Sequence, residues 1–194
     1  MVERTVVLIK PDGVKRGLIG EIISRFEKVG LKIVAMKMVW VDEGLAAKHY
    51  PVSRKDWVKK VGERTLKSYQ EYGQDAGELL GTMDPEQVGR LVCEWLVDFL
   101  IGGPVVAVLL DGPHAVEVVR KLVGETYPLK AAPGTIRGDW MIDSPALSNT
   151  KKRAIKNLIH ASGTSEEAKF EEDLWFHKNE IHSYKRVDED LIFG

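Results

Sequence analysis

A histidine lies between a short apolar segment and a run of small residues. In the stretch NLIHASGTS (157–165), Leu158 and Ile159 lead directly into His160. A neutral imidazole is a nucleophile or base near neutral pH, so this position could carry group-transfer chemistry. A lone histidine at the end of a strand is more often a polar residue at the surface. Residues elsewhere in the chain must therefore decide between the two interpretations.

Isolated basic residues could supply a phosphate site. Lys10 ends an apolar run, Arg120 lies in a helical pattern, and Arg137 lies in PGTIRGD. The sequence contains no G-x-x-x-x-G-K-[ST] motif and no G-x-G-x-x-G motif after a strand, so neither a Walker loop nor a dinucleotide fold is indicated. Each cation alone is most often a surface charge. Their combination with His160 favours a built anion site.

The elements that must position these residues follow from the hydrophobic pattern. The β-branched run TVVLIK (5–10) predicts a buried strand, which leads into a tight turn at Pro11-Asp12-Gly13. The later patterns predict a helix over 18–30, strands over 31–41 and 104–112, a helix over 115–125 and a short strand over 157–160. This order predicts an α+β fold: a ferredoxin-like split βαβ arrangement, in which helices cover one side of an antiparallel sheet.

The composition bounds the class of protein. A chain of 194 residues with 44% hydrophobic residues is long enough for one well-buried domain, which we expect to span 1–194. The formal net charge of -1 argues against a general polyanion-binding surface. The single cysteine, Cys93, excludes a disulfide within the chain, which favours a cytoplasmic location. The N-terminal apolar run is too short for a signal peptide or membrane span.

Two stretches do not fit a compact version of this fold, and we interpret them as insertions at roughly 53–90 and 143–154. The first is charged and rich in glycine, and Asp84-Pro85 predicts the start of a helix within the long segment that precedes the second apolar strand. The second carries the basic cluster Lys151, Lys152 and Arg153. This cluster is interpreted as a solvated helix face rather than a nucleic-acid contact.

Six sequence blocks occur in one order: IKPDGVKRGLIGEII, HY, GP…V, GET.P, APGTIRGD and N.IHAS. Together they closely resemble the nucleoside diphosphate kinase family over residues 3–50 and 103–176. The IRGD block alone would be weak, whereas six ordered blocks are specific. The resemblance implies transfer of the γ-phosphate of a nucleoside triphosphate to a nucleoside diphosphate in a ping-pong cycle.

The resemblance assigns four catalytic residues. His160 matches the family's nucleophile, and Glu171, eleven residues downstream, matches the glutamate that holds the other ring nitrogen. The alternative for Glu171 is a solvent-facing helix position beside Glu172. Ser162 matches a serine in contact with the histidine region, and Tyr50 matches a tyrosine near the histidine.

The resemblance also assigns the residues that hold the nucleotide. The matched positions are the phosphate-side cations Lys10, Arg120 and Arg137, the hydroxyl of Thr126, and the sugar contact Asn157. Arginine can clamp two phosphate oxygens at once. The family implies Mg²⁺ carried on the nucleotide phosphates, with no dedicated protein site for the metal.

Two positions depart from the family pattern. Gly163 stands where the family usually has aspartate, so a hydrogen bond that shapes the pocket is missing at that position. The family stacks the nucleobase on a phenylalanine in a segment that the first insertion replaces. Val92, Trp95 and Trp57 are the candidates for this contact, and the sequence does not choose among them.

The sequence therefore predicts a cytosolic nucleoside diphosphate kinase that acts through phospho-His160 with low base selectivity. The family implies a homo-oligomer, most often a hexamer, although the insertions leave its size open. Neither membrane nor nucleic-acid partners are expected. The rival interpretation is a nucleotide-binding regulatory or assembly module that kept the fold and pocket without the activity.

Overall fold

The computed structural model describes residues 2–193 and contains one four-stranded sheet. Its strands are β1 (Val2–Ile9), β2 (Lys32–Trp40), β3 (Pro104–Pro113) and β4 (Ile159–Ala161). They lie in the order β2-β3-β1-β4, and every neighbouring pair is antiparallel. This is the order of a ferredoxin-like sheet, so the predicted α+β fold is confirmed.

The helices predicted over 18–30 and 115–125 are present, and the turn predicted near the N-terminus is corrected. The helices are α1 (Pro11–Lys15), α2 (Ile19–Lys28), α3 (Glu43–His49), α4 (Lys55–Glu71), α5 (Ala76–Leu80), α6 (Pro85–Ile101), α7 (Ala115–Val123), α8 (Ile136–Trp140), α9 (Pro145–Thr150), α10 (Ser165–Trp175) and α11 (Glu189–Phe193). The residues predicted as a tight turn after β1 instead begin α1, because proline is well suited to the first helical position. No helix within residues 2–193 is long and apolar enough to cross a membrane.

Helices cover both faces of the sheet, whereas the sequence predicted cover on one side. Val6 and Leu8 of β1 pack in a core with residues of α3, α6 and α10. Val7 and Ile9 point to the opposite face and pack with α2, α7 and α8. All four side chains are fully buried, which explains why β1 is continuously apolar rather than alternating.

Helices α4 and α6 form a closely packed pair outside the sheet. The predicted helix start at Asp84-Pro85 is confirmed: the Asp84 side chain accepts a hydrogen bond from the Gln87 amide at the first turn of α6. Gly62 of α4 meets the backbone of Pro85, and Gly89 of α6 meets the backbone of Val58 so closely that a Cβ atom at either glycine would collide. The two helix axes can approach this far because neither contact residue has a side chain.

The short helix α9 docks against α4 and the loop that follows it. Asn149 donates a hydrogen bond to the Gln74 side chain at 3.1 Å, and Gln74 donates to the Ala146 carbonyl at 3.0 Å. Within the same segment, buried Asp143 accepts two hydrogen bonds from the guanidinium of Arg153, at 2.6 and 3.0 Å. We call α4, α5 and residues 143–154 the cap. The predicted boundaries of the two insertions, 53–90 and 143–154, stay a prediction.

Candidate active site

His160 lies on β4 at a backbone position fixed from both sides. It pairs with Leu8 of β1, and two residues upstream Leu158 has a φ of 67°, a left-handed conformation that costs a non-glycine residue energy. The Leu158 amide donates to Asp12 Oδ2 at 3.0 Å, and its carbonyl accepts from the Lys10 amide at 2.8 Å. The Pro11-Asp12-Gly13 segment therefore anchors the approach to the histidine.

Glu171 and Ser162 orient the His160 ring. Glu171 lies on α10 and is 2% exposed, and its Oε1 is 2.7 Å from His160 Nε2. The Ser162 hydroxyl donates to Glu171 Oε2 at 2.7 Å. Because a carboxylate accepts the proton of Nε2, this contact assigns the tautomer in which Nδ1 carries the lone pair. The alternative placement of Glu171 on a solvent-facing helix surface is wrong.

The electrostatic environment keeps His160 neutral. Burial, followed by the positive charge of Lys10, holds the pKa of His160 well below its usual value of 6.5, although the nearby carboxylate of Glu167 opposes the shift. Burial raises the pKa of Glu171, whereas His49 and the Ser162 hydroxyl lower it. A neutral imidazole at physiological pH is the form that can act as a nucleophile.

His49 is part of this cluster, and the sequence did not single it out. Its ring centroid lies 4.5 Å from that of His160, its Nδ1 accepts a hydrogen bond from Trp175 Nε1 at 3.4 Å, and burial holds its pKa well below 6.5. The three ligand-type groups of His49, His160 and Glu171 lie within 4.8 Å of one another. The 2.7 Å contact between His160 and Glu171 is a hydrogen bond and too short to hold a metal ion between the two atoms. The sequence signal for His49 was the HY block, but two adjacent residues do not by themselves indicate a catalytic arrangement.

Tyr50 follows His49 and lies at the edge of the same cluster. Burial raises the pKa of its hydroxyl, followed by the negative charge of Glu171, so the group is protonated. Among residues 2–193 the hydroxyl oxygen has no hydrogen-bond partner. A buried hydroxyl that faces the cavity without a partner is available to a ligand.

A cavity of about 320 Å³ lies in front of His160. Lys10, Thr126 and Asn157 line it together with the histidine. The Lys10 ammonium donates to Asn157 Oδ1 at 2.9 Å, and the Asn157 amide donates to the Thr126 carbonyl at 3.0 Å. Burial, followed by the charge of Arg137, lowers the pKa of Lys10 from 10.5 to about 8. Asn157 therefore ties the lysine to the loop that carries Thr126.

Arg137 and Arg120 line the same cavity but differ in what holds them. The Arg137 guanidinium donates to the carbonyls of Gly124, Asn157 and Ile159, at 2.9, 3.2 and 2.6 Å. These bonds join the loop after α7 to the strand that carries His160. Arg120 at the end of α7 makes no side-chain hydrogen bond or ion pair to the residues described, so its guanidinium is free to meet an anion.

A carboxylate from the following helix lies beside Gly163. The Gly163 amide donates to Glu167 Oε2 at 2.8 Å. A Cβ atom at Gly163 would lie 2.6 Å from the same oxygen and 3.7 Å from Arg120 Nη1. The Glu167 carboxylate therefore occupies the space that a side chain at Gly163 would take, one helical turn later in the sequence.

The cap and α6 supply the rest of the cavity wall. Val92 and Trp95 of α6 line the cavity, whereas Trp57 packs against the core between the sheet, α3 and α10. Of the three candidates for the apolar contact with the nucleobase, Val92 and Trp95 line the cavity and Trp57 does not. Residues 151–153 follow the end of α9, so their predicted helical conformation is wrong. Lys151 and Lys152 are exposed to solvent as predicted, whereas Arg153 lines the cavity.

Taken together, the geometry provides a neutral imidazole with a free Nδ1, a carboxylate on its other nitrogen, and cations around one cavity. The residues that line this cavity include Lys10, Arg64, Arg120, Arg137 and Arg153 and no carboxylate. Such a site can accept a phosphoryl group on nitrogen and stabilise its negative charge.

Comparisons with known proteins agree with this chemistry. The family model described as Nucleoside diphosphate kinase matches residues 3–61 and 78–181. A nucleoside diphosphate kinase of Pyrobaculum aerophilum is 50% identical over 180 residues, which cover 93% of this chain and 98% of the relative. One of Pyrococcus furiosus is 45% identical over 183 residues, covering 94% and 88%.

Solved structures show the same similarity. The crystal structure of an NDP kinase from Pyrobaculum aerophilum has a TM-score of 0.90 at 48% identity, covering 94% of this chain and 100% of the other. A transition state mimic of the enzyme from Borrelia burgdorferi, with bound vanadate and ADP, has a TM-score of 0.76 at 41% identity, covering 97% and 95%. A Halobacterium salinarum enzyme in complex with CDP has a TM-score of 0.70 at 32% identity, with both chains fully covered.

Proposed function

The chain belongs to the nucleoside diphosphate kinase family and is a phosphotransferase between nucleoside triphosphates and diphosphates, and we propose that His160 carries the phosphoryl group between them. The observation that carries the proposal is the 2.7 Å contact between His160 Nε2 and Glu171, because it leaves the lone pair on Nδ1 of a side chain that lines the cavity.

In the first half-reaction, the lone pair of Nδ1 forms a bond to the γ-phosphorus of the triphosphate. The bond from that phosphorus to the bridging oxygen breaks, and the departing diphosphate keeps the electron pair. The imidazole gains positive charge as it accepts the phosphoryl group, and the Glu171 carboxylate offsets this charge through the proton on Nε2. The second half-reaction reverses these steps, with the terminal oxygen of a different diphosphate as the nucleophile.

The cations act by position and charge. Arg120, Arg137 and Lys10 surround the space in front of His160 and would stabilise the charge that spreads over the transferred oxygens. Magnesium arrives as part of the nucleotide substrate. Because no carboxylate lines the cavity, the ion would be held by phosphate oxygens rather than by the protein.

The nucleoside would occupy the remainder of the cavity. Asn157, which lines the cavity, would contact the sugar, and Val92 or Trp95 would contact the base through an apolar surface. An apolar contact accepts every base, so we expect transfer between different nucleotides with low base selectivity.

Labelling tests the proposal directly. Purified protein is incubated with γ-labelled ATP and magnesium, and unlabelled GDP is then added. The wild type and a His182→Ala control, which changes an exposed histidine, should take up an acid-labile, base-stable label that GDP removes as GTP. His160→Ala should take up none. Nucleotide binding without labelling of the wild type would instead support the regulatory or assembly module.

We also propose that the enzyme is a homo-oligomer, with a hexamer favoured. Strand β2 lies at an edge of the sheet, and Met36, Met38 and Trp40 on it are 55, 60 and 72% exposed. Apolar side chains on an edge strand favour contact with another chain. Light scattering after size exclusion measures the mass, and Trp40→Lys should reduce it.

A cytosolic location is part of the same proposal. Cys93 is buried, and burial, followed by the charge of Glu94, raises the pKa of its thiol to about 11. A buried thiol that stays protonated does not form a disulfide, which agrees with a reducing compartment. Cell fractionation with an antibody against the protein checks this location.

A further inference from the structure

One face of α4 forms part of the wall of the nucleotide cavity. Val61, Arg64, Thr65 and Ser68 line the cavity at spacings of three and four residues, which place them on one side of the helix. The last three lie in the stretch 62–77, which the family model leaves unmatched. The helix therefore brings side chains to the site from a part of the chain outside the family pattern.

The charges around the cavity are not equally engaged. Arg137 is bonded to three backbone carbonyls, Arg153 to Asp143, and Lys10 to Asn157. Across residues 2–193, Arg64 makes no side-chain hydrogen bond or ion pair, and in this respect it matches Arg120. A guanidinium with no carboxylate beside it in the cavity wall is suited to an anionic ligand.

The polar neighbours of Arg64 on this face each take part in a hydrogen bond. The Thr65 hydroxyl donates to the Val61 carbonyl at 2.9 Å, and Ser68 Oγ accepts from Asn149 at 3.5 Å. Among the polar side chains of the α4 face, Arg64 is thus the one that makes no hydrogen bond or ion pair within the described chain.

The helix that carries Arg64 is held on several sides. Gly62 packs against the backbone of α6, and the Tyr69 hydroxyl donates to the Asn149 carbonyl at 3.4 Å. The Glu71 carboxylate lies 3.7 Å from the Lys130 ammonium, next to the loop that carries Thr126. The backbone of α4 at Arg64 is therefore fixed, and only the Arg64 side chain has to move to reach a ligand.

We propose that Arg64 is a fourth phosphate-binding cation of the nucleotide site, contributed by the cap. This inference rests on the proposed function, since it takes the ligand of the cavity to be a nucleoside di- or triphosphate. Arg64 contacts the phosphate chain of the bound nucleotide together with Arg120.

The test compares ADP with adenosine, which lacks phosphate. Isothermal titration at saturating magnesium measures the Kd of ADP for the wild type, Arg64→Ala, Arg64→Lys and Lys60→Ala. Lys60 is an exposed cation on the same helix that does not line the cavity, so it controls for a change in overall charge. Arg64→Ala should weaken ADP binding about tenfold or more, as loss of a charge-assisted hydrogen bond does.

Three further results are expected. Adenosine should bind the wild type and Arg64→Ala equally, Arg64→Lys should recover part of the loss for ADP, and Lys60→Ala should bind ADP like the wild type. In turnover, Arg64→Ala should raise the KM for ADP more than it lowers kcat. Equal ADP affinity of the wild type and Arg64→Ala would overturn the inference, as would an equal loss for adenosine and ADP.

Labelling separates this inference from the proposed function. At saturating labelled ATP, both the wild type and Arg64→Ala should form the base-stable phosphoprotein. If the wild type is labelled and Arg64→Ala binds ADP normally, the role of Arg64 is wrong and the phosphohistidine mechanism stands. If the wild type takes up no label, the mechanism fails whatever the titrations show.

Discussion

The cavity has two walls that are held in place by different interactions. The catalytic wall consists of Lys10, Arg120, Arg137, Asn157 and His160, which lie on or beside strands and helices of the sheet domain. There, some functional side chains are tied to backbone atoms, as when Arg137 donates to three carbonyls and Asn157 to the Thr126 carbonyl. In the cap, by contrast, helix packs on helix, and close glycine contacts and buried polar side chains set the distances.

The two walls therefore differ in how firmly their side chains are held and in how freely their residues can change. A side chain bonded to the backbone of the sheet cannot move without breaking hydrogen bonds in the core, so the catalytic wall is suited to reacting atoms. The cap contacts the sheet and its covering helices through α6 and a few side chains. Its face toward the cavity can therefore change without moving His160. Substitutions in the two walls should therefore affect different measurable quantities.

The largest expected effect on stability lies in the cap. Gly62→Ala would place a Cβ atom against the Pro85 carbonyl, and because backbone lies on both sides the free energy of unfolding should fall by about 3 kcal/mol. Gly20→Ala on α2 is the matched control, since no atom lies within 4 Å of its new Cβ. It should stabilise the protein by about 0.5–1 kcal/mol through helix propensity. Urea denaturation measures both, and equal changes would contradict the close contact.

A smaller effect, on rate rather than stability, is expected for the catalytic wall. Glu171→Gln keeps the size of the side chain but removes the charge that offsets the phosphorylated imidazole, so the rate of His160 labelling should fall about 10- to 100-fold. The Kd for ADP should change little, because Glu171 lies behind the ring. Rapid-quench labelling measures the rate. A loss of ADP affinity equal to the loss of rate would point to a structural role instead.

The smallest expected effect appears in the pH dependence. Lys10 is charged below its pKa of about 8 and neutral above it, so kcat/KM should fall as the pH rises through about 8. Lys10→Arg keeps the charge and should move this limb to higher pH. Steady-state assays from pH 7 to 10 measure it. A limb near 8 that persists in Lys10→Arg would assign the titration to another group.

The sequence predicted the strands of the sheet, and the cations and histidine that it singled out line one cavity, for a physical reason. Continuous apolar runs identify strands that are buried on both faces, and short ordered motifs identify residues that the fold brings together around His160. The sequence did not indicate His49, because its place beside His160 depends on a hydrogen bond from Trp175, which lies 126 positions away. No local pattern encodes such a contact.

The cap was far less predictable than the catalytic wall. The start of the neighbouring helix α6 at Asp84-Pro85 is a local signal and was found. Helix α4 has a weaker apolar pattern, because glycine and small polar residues form its contacts with α6 and α9. For the same reason, nothing in the spacing of Arg64 indicated that it would point into the cavity, since that depends on where α4 docks.

The left-handed turn at Leu158 has a mechanical consequence. The side chain is fully buried in the core, so the residue cannot relax to a more favourable backbone conformation without leaving it. The left-handed conformation costs about 1–2 kcal/mol, and two hydrogen bonds offset this strain. The Leu158 amide donates to Asp12, and the Lys10 amide donates to the Leu158 carbonyl. The buried side chain and the two hydrogen bonds therefore hold the backbone of Leu158 in one conformation. In the proposed mechanism, His160, two residues further on, would return to the same position each time it gains and loses the phosphoryl group.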